Sequence, residues 1–278
     1  MSIKATVLCE NSVFYTRCLT AEHGWAVFLE TPGGNFLWDT GQGLGILHNA
    51  SILGVDLRSL DAILISHSHF DHTGGLEKVL EITGEIPVYA HPDIFVPTYD
   101  IKKGEAPVHV GIPFTREYLE SIGARFNLSR SFREIVPGIF LSGEVPRVTD
   151  FEVGNDWPVQ FEPDGKTIVN YVPDDQTLVV NTEHGLLILL GCAHSGIINV
   201  IDHIIEKCKC SRIAAIIGGT HLGPATPEQQ NKSIQKLQEY DIERIGVSHC
   251  TSMSVCSQLS KVFTDRFFNC NVGTVINL

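Results

Sequence analysis

The chain has 278 residues, 43% of them hydrophobic and 19% charged, with a formal net charge of −12 when histidine is neutral. That apolar fraction supports one large core, so a single domain over residues 1–278 is expected rather than two. The acidic balance argues against nucleic acid or an anionic membrane as partner, because both need a basic surface that displaces counterions.

MSIKATVLCE opens like a strand and not like a basic, apolar leader, and no apolar run approaches the roughly 20 residues of a membrane span. We therefore expect a soluble, cytoplasmic protein, with eight irregularly spaced cysteines held as reduced thiols. WAVFLE and NFLWDT flank TPGGN and read as a hairpin. DAILISH reads as a buried strand, followed by a glycine pair, the helix LEKVLEIT and the strand PVYAH. Between 93 and 133 the pattern blurs, and IKKGEAPVHVGIPFTREYL, rich in glycine and proline, reads as an irregular insertion. Residues 93–150 carry seven bases (Lys102, Lys103, Arg116, Arg125, Arg130, Arg133 and Arg147) against eight acids, so this stretch is less negative than the rest. TLVVNT and LLILLGC form a second hairpin, and SGIINVIDHIIEKCK has helical spacing. RIAAIIGGTH and IERIGVSHC are two more strands, separated by the helix PEQQNKSIQKLQEY. Two groups of strands interleaved with helices predict an α/β fold of stacked sheets covered on both outer faces.

The stretch ISHSHFDHTGG places His67, His69, Asp71 and His72 within six positions. These residues follow a predicted strand, and so do His194, His221 and His249. Strand ends are where short loops bring distant side chains into one crevice, and a shared pocket is the economical reading. Imidazoles and a carboxylate suit a borderline cation such as zinc, with manganese or iron as alternatives. The candidate ligands outnumber what one tetrahedral ion can use, so two divalent ions are expected. His23, His48, His91, His109, His184 and His203 lie in turns or on helices without matching neighbours and read as structural.

The run His67-Ser68-His69-Phe70-Asp71-His72, followed by Thr73-Gly74-Gly75, resembles the signature of the metallo-β-lactamase fold superfamily. LWDTG (37–41), GCAHSGIIN (191–199), GGTHL (218–222) and SHCT (248–251) extend the resemblance along nearly the whole chain. Together they resemble a subgroup that includes the archaeal dihydropterin-ribofuranosylaminobenzene-phosphate synthase. The resemblance implies a four-layer αββα sandwich with metals at the edge between the sheets. It implies His67, His69 and a third histidine around one ion, and Asp71, His72 and a final histidine around the other. The strand that ends Gly-Asp in most members ends Gly191-Cys192 here. His194 or Asp175 then supplies the third ligand, and Cys192 is either a soft ligand in the bridging position or a buried thiol. His249 is preferred over His221 as the final ligand, which leaves His221 to hydrogen-bond or protonate a substrate. Asp39 in LWDTG is expected to orient a ligand imidazole.

A water that loses its proton near neutral pH to such ions would attack an ester-type bond, which makes a binuclear metal-dependent hydrolase the leading reading. No G-x-S-x-G elbow and no G-x-x-x-x-G-K loop competes with it. A metal-dependent transferase is the alternative implied by the resemblance, with an iron oxidoreductase behind it. The substrate is expected to be small and anionic, most simply phosphorylated. Arg147 is its best single anchor because a guanidinium grips phosphate in a bidentate way, while Lys102 and Lys103 are weaker candidates.

Overall fold

Alternation along the apolar strands decides the layering. In Ala26–Thr31, Val27 and Leu29 face one core while Ala26 and Phe28 face another. In Gly185–Leu189, Leu187 and Leu189 enter the same core as Val27 and Leu29, and Leu186 and Ile188 point the opposite way. The shared core therefore lies between two sheets.

The computed structural model describes residues 3–13, 18–102, 104–153, 157–162 and 164–278; Lys103 lies outside them. Among the described residues the first sheet has the order Val275–Asn277, Lys4–Cys9, Ala26–Thr31, Gly34–Trp38, Ala62–Leu64, Ile86–Ala90 and Ala124–Leu128. The second runs Asp241–Ile242, Arg212–Gly219, Gly185–Leu189, Leu178–Thr182, Ile139–Leu141 and Arg133–Val136, with Ile245–Ser248 also paired to Arg212–Gly219. Helices Ile46–Leu53, Leu76–Thr83 and Arg116–Ser121 pack their buried faces on the outside of the first sheet. Ile197–Cys208, Pro227–Leu237 and Met253–Phe263 cover the second. The result is the expected four-layer αββα sandwich. No described helix is long and apolar enough to cross a membrane.

The stretch 93–133 is more ordered than its composition suggests. Helix Arg116–Ser121 leads into Ala124–Leu128, which pairs in parallel with Ile86–Ala90 as the edge of the first sheet. Before it, Tyr99–Asp100 and Val108–His109 join Val159–Phe161 and Thr167–Val169 in a small third sheet. Strands of two or three residues carry no readable alternation, and here they depend on partners distant in sequence.

The sheets are also pinned by one polar contact. Trp38, fully buried at the end of its strand, donates its indole N–H to the carbonyl of Leu190 at 3.1 Å across the sandwich. Trp38→Phe keeps an aromatic ring but strands that carbonyl, which should cost about 1–3 kcal/mol. Urea unfolding of the variant beside the wild type measures the loss, and an unchanged midpoint would deny the bond its role.

Candidate metal centre

Parallel pairing delivers the predicted residues to one edge. Gly34–Trp38 runs parallel to Ala62–Leu64, so Asp39 and the loop 65–69 emerge side by side. Gly185–Leu189, Arg212–Gly219 and Ile245–Ser248 are likewise parallel, which places Cys192, His194, His221 and His249 at the same rim. The turns after these strands are sharp: Asp39, Ala193, His221 and His249 have φ of 57°, 53°, 51° and 55°. Left-handed backbone costs a non-glycine residue about 1–3 kcal/mol and persists where surrounding structure over-determines it, typically at functional sites.

Two donor clusters result. In the first, His67 Nε2 lies 3.1 Å from His69 Nδ1 and 3.3 Å from His194 Nε2. In the second, His249 Nε2 lies 3.2 Å from His72 Nε2 and 3.2 Å from Asp71 Oδ2. The His67 and His72 ring centroids are 4.2 Å apart, so the clusters adjoin. Cys192 Sγ sits 3.3 Å from His72 Nε2 and falls within reach of donors in both clusters.

These residues fit divalent ions. With zinc–nitrogen bonds of about 2.0–2.1 Å, the edge of a tetrahedral coordination shell is about 3.3–3.4 Å, close to the spacing of the nitrogens. Burial holds the His67 and His194 imidazoles well below their ordinary range, and brings His69 to about 4. Neutral imidazoles packed this closely turn lone pairs toward a common point, where a cation is the natural partner.

Hydrogen bonds from behind fix the rings. Asp39, fully buried, accepts from the Ser66 N–H at 2.7 Å, from Ser66 Oγ at 2.7 Å and from His72 Nδ1 at 2.7 Å. That bond turns His72 Nε2 into the second cluster, the role expected of Asp39. Asp175 does not enter the first cluster. Its Oδ2 accepts the backbone N–H of His194 at 2.5 Å, and its Oδ1 is 3.7 Å from His67 Nδ1, the nitrogen facing away from the cluster. Burial raises the Asp175 carboxyl to about 8. Asn11 Oδ1 lies 3.0 Å from His249 Nδ1. Burial lowers the His249 pKa, but the bond to Asp71 and nearby negative groups outweigh it and bring the ring to about 9.

Of the two closing candidates, His249 stands with Asp71 and His72. His221 lies beside the first cluster, its ring 4.2 Å from that of His194. Two site residues are not among the candidates read from the sequence, although Cys250 falls within SHCT. His23, read there as structural, places Nε2 3.2 Å from Asp71 Oδ2. Cys250 accepts the His221 N–H at 3.2 Å through Sγ. Gly24 explains the first: a Cβ at that position would lie 2.6 Å from the Asp71 carbonyl, so only glycine lets the 23–25 segment close on the Asp71 turn.

The clusters open into a cavity of about 270 Å3 whose lining includes Asp100 of the small sheet and Val110 just after its Val108–His109 strand. Arg147 is set back from it. Its guanidinium lies 4.5 Å from the Trp157 ring and donates to the Tyr171 carbonyl at 2.8 Å, while the Trp157 ring is 6.5 Å from His194. Trp157 therefore neighbours both Arg147 and the His194 ring of the first cluster. Lys102 is exposed beside Asp100, 3.9 Å from its carboxylate.

A four-layer sandwich whose edge carries the H-x-H-x-D-H run and distant histidines is the metallo-β-lactamase fold. The chain belongs to the metallo-beta-lactamase superfamily, whose family model matches residues 19–202. It is 30% identical over 283 residues to a 7,8-dihydropterin-6-methyl-4-(beta-D-ribofuranosyl)-aminobenzene-5'-phosphate synthase of Methanocaldococcus jannaschii, covering 99% of this chain and 96% of that protein. An uncharacterized protein of the same organism is also 30% identical, over 98% of this chain and 99% of its own. Among solved structures, Tm1679, described as a metal-dependent hydrolase of the beta-lactamase superfamily, superposes with a TM-score of 0.81 at 26% identity, over 99% of this chain and 98% of that one.

Two measurements test this geometry. Asp39→Asn removes the charge that orients His72 and should weaken divalent-metal affinity about 10–100-fold; competition against a chelator reads the change, and unaltered affinity would contradict the assignment. In chelator-stripped protein, His67, His69 and His194 resist protonation while the unfolded chain takes up protons below the ordinary 6.5. Stability from these rings is therefore present above 6.5 and lost as pH falls from 6.5 toward 4. The raised His249 acts in the opposite sense, losing its contribution as pH rises from 6.5 through about 9. Thermal midpoints across both intervals should decline at either end; a flat acid side would contradict the burial of His67, His69 and His194, and a flat alkaline side the pairing of His249 with Asp71.

Proposed function

We propose that the protein is a binuclear metal-dependent hydrolase acting on a small, anionic, ester-type substrate. The observation that carries this reading is the pair of adjoining donor clusters opening into one cavity. His67, His69 and His194 would hold one ion and Asp71, His72 and His249 the other, with zinc the best match to the donor set. Such ions supply Lewis acidity that activates water and neutralises charge developing on a substrate oxygen.

The chain's own residues do the rest. Asp39 fixes His72, and the backbone N–H of His194 is fixed by Asp175, so the donor atoms are placed before substrate arrives. Asp71 gives Oδ2 to the second cluster, and although burial opposes it, His72, His23 and His249 hold its carboxyl well below the usual carboxylate range, so it stays an anionic ligand. His221 and His23 line the same cavity and are placed to hydrogen-bond the substrate or its leaving group. Asp100 of the small sheet, with Val110 and Pro158 beside its strands, completes the lining.

The relative named as a synthase supports a second reading, a metal-dependent transferase that joins two substrates. Hydrolysis is the first reading because both donor clusters open into one cavity of about 270 Å3, where a water can be activated beside a small molecule. Incubation with phosphoesters, thioesters and lactones in 18O-labelled water separates the two. Hydrolysis places the label in the product; product that forms only with a second organic substrate, unlabelled, would establish the transferase instead. Once a phosphorylated substrate is found, Arg147→Lys should raise its KM more than that of a neutral analogue, whereas equal effects would leave Arg147 as support for Trp157.

A further inference from the structure

Three side chains beside the clusters form a donor group of another chemical kind. Cys192, His221 and Cys250 each offer one atom, and the three atoms lie within 4.8 Å of one another. They arrive from three different strand ends of the second sheet. The Cys250 thiol donates to the Cys192 carbonyl at 3.7 Å and its Sγ accepts the His221 N–H, bonds that give Cys250 a part in holding the turns together. Neither bond engages the ring of His221, whose Nδ1 is buried with no hydrogen-bond partner among the described residues. His221 is also held in left-handed backbone at φ 51°, a strained conformation of the kind that persists at functional sites.

We propose that Cys192, His221 and Cys250 bind a thiophilic divalent cation at a third locus, adjoining the two imidazole clusters through Cys192. Two thiolates and one imidazole balance a divalent charge, and the same ligand set holds zinc in known proteins with a fourth position left open. Sulfur donors select zinc or cadmium over magnesium or calcium. Binding deprotonates both thiols and releases the protons to solvent. Cys192 is also within reach of both imidazole clusters, so filling the third locus draws it away from them. It also withdraws His221 from the cavity, so excess thiophilic metal would silence any role of that ring toward substrate. The locus stands on its own donors and does not depend on the hydrolase reading.

The test is cobalt titration of chelator-stripped protein, with bound metal counted by elemental analysis and thiolate-to-cobalt charge-transfer absorption recorded. The wild type should take up an equivalent beyond those of the clusters, with strong charge-transfer absorption. Cys250→Ser should lose that equivalent and most of the absorption, whereas the double variant His67→Ala, His69→Ala should keep the absorption while losing an equivalent. Identical spectra for wild type and Cys250→Ser, or absorption lost in the histidine double variant, would overturn the proposal. If Cys250→Ser does not fold, alkylation of the wild type decides: bound cadmium must shield both Cys192 and Cys250 from the reagent, and equal labelling of Cys250 with and without cadmium refutes the locus.

Discussion

The site depends on one buried carboxylate. Asp39 lies at the end of Gly34–Trp38 with no exposure to solvent, and its oxygens are taken by Ser66 and His72. A buried charge without partners would be costly, so the loop after Ala62–Leu64 must close on it in one way. That closure sets the direction of His72. Through Ser66 Oγ, 2.8 Å from His67 Nδ1, it also bears on the first cluster. The two clusters are thus coupled through one aspartate and one serine that need not touch an ion.

Around that anchor the fold supplies registration. The apolar inner faces of both sheets bring their strand ends into line, and the Trp38 to Leu190 bond joins them one residue before Gly191 and Cys192. Left-handed turns at Ala193, His221 and His249 then aim side chains inward over very short distances. Strain in these turns is offset by the packing of the strands behind them, almost all of which are buried.

Much of this was legible in the sequence because it rests on local pattern. Apolar runs broken by glycine marked the strands, and histidines just past those runs marked the rim. His194 and His249 fall in the clusters where their strand-end positions suggested. The resemblance to a known superfamily fixed the layers and is matched by the family comparison. What stayed hidden depends on contacts between segments far apart in the chain. His23 reaches Asp71 only because Gly24 allows close approach. Cys250 matters because its strand lies parallel to the one that delivers His221. The small sheet is built from strands too short to show a period. Arg147 stood out from charge alone, and in the fold its guanidinium also engages Trp157 and Tyr171, contacts no charge count reveals.

The central claim is that the edge of the sandwich binds two divalent ions. Elemental analysis of freshly purified, unchelated protein tests it most directly, together with the same measurement on the double variant His67→Ala, His69→Ala. The account predicts roughly two equivalents of transition metal per chain in the wild type and the loss of at least one in the variant. A wild type that carries no bound metal and takes up none when zinc, manganese or iron is supplied would contradict it.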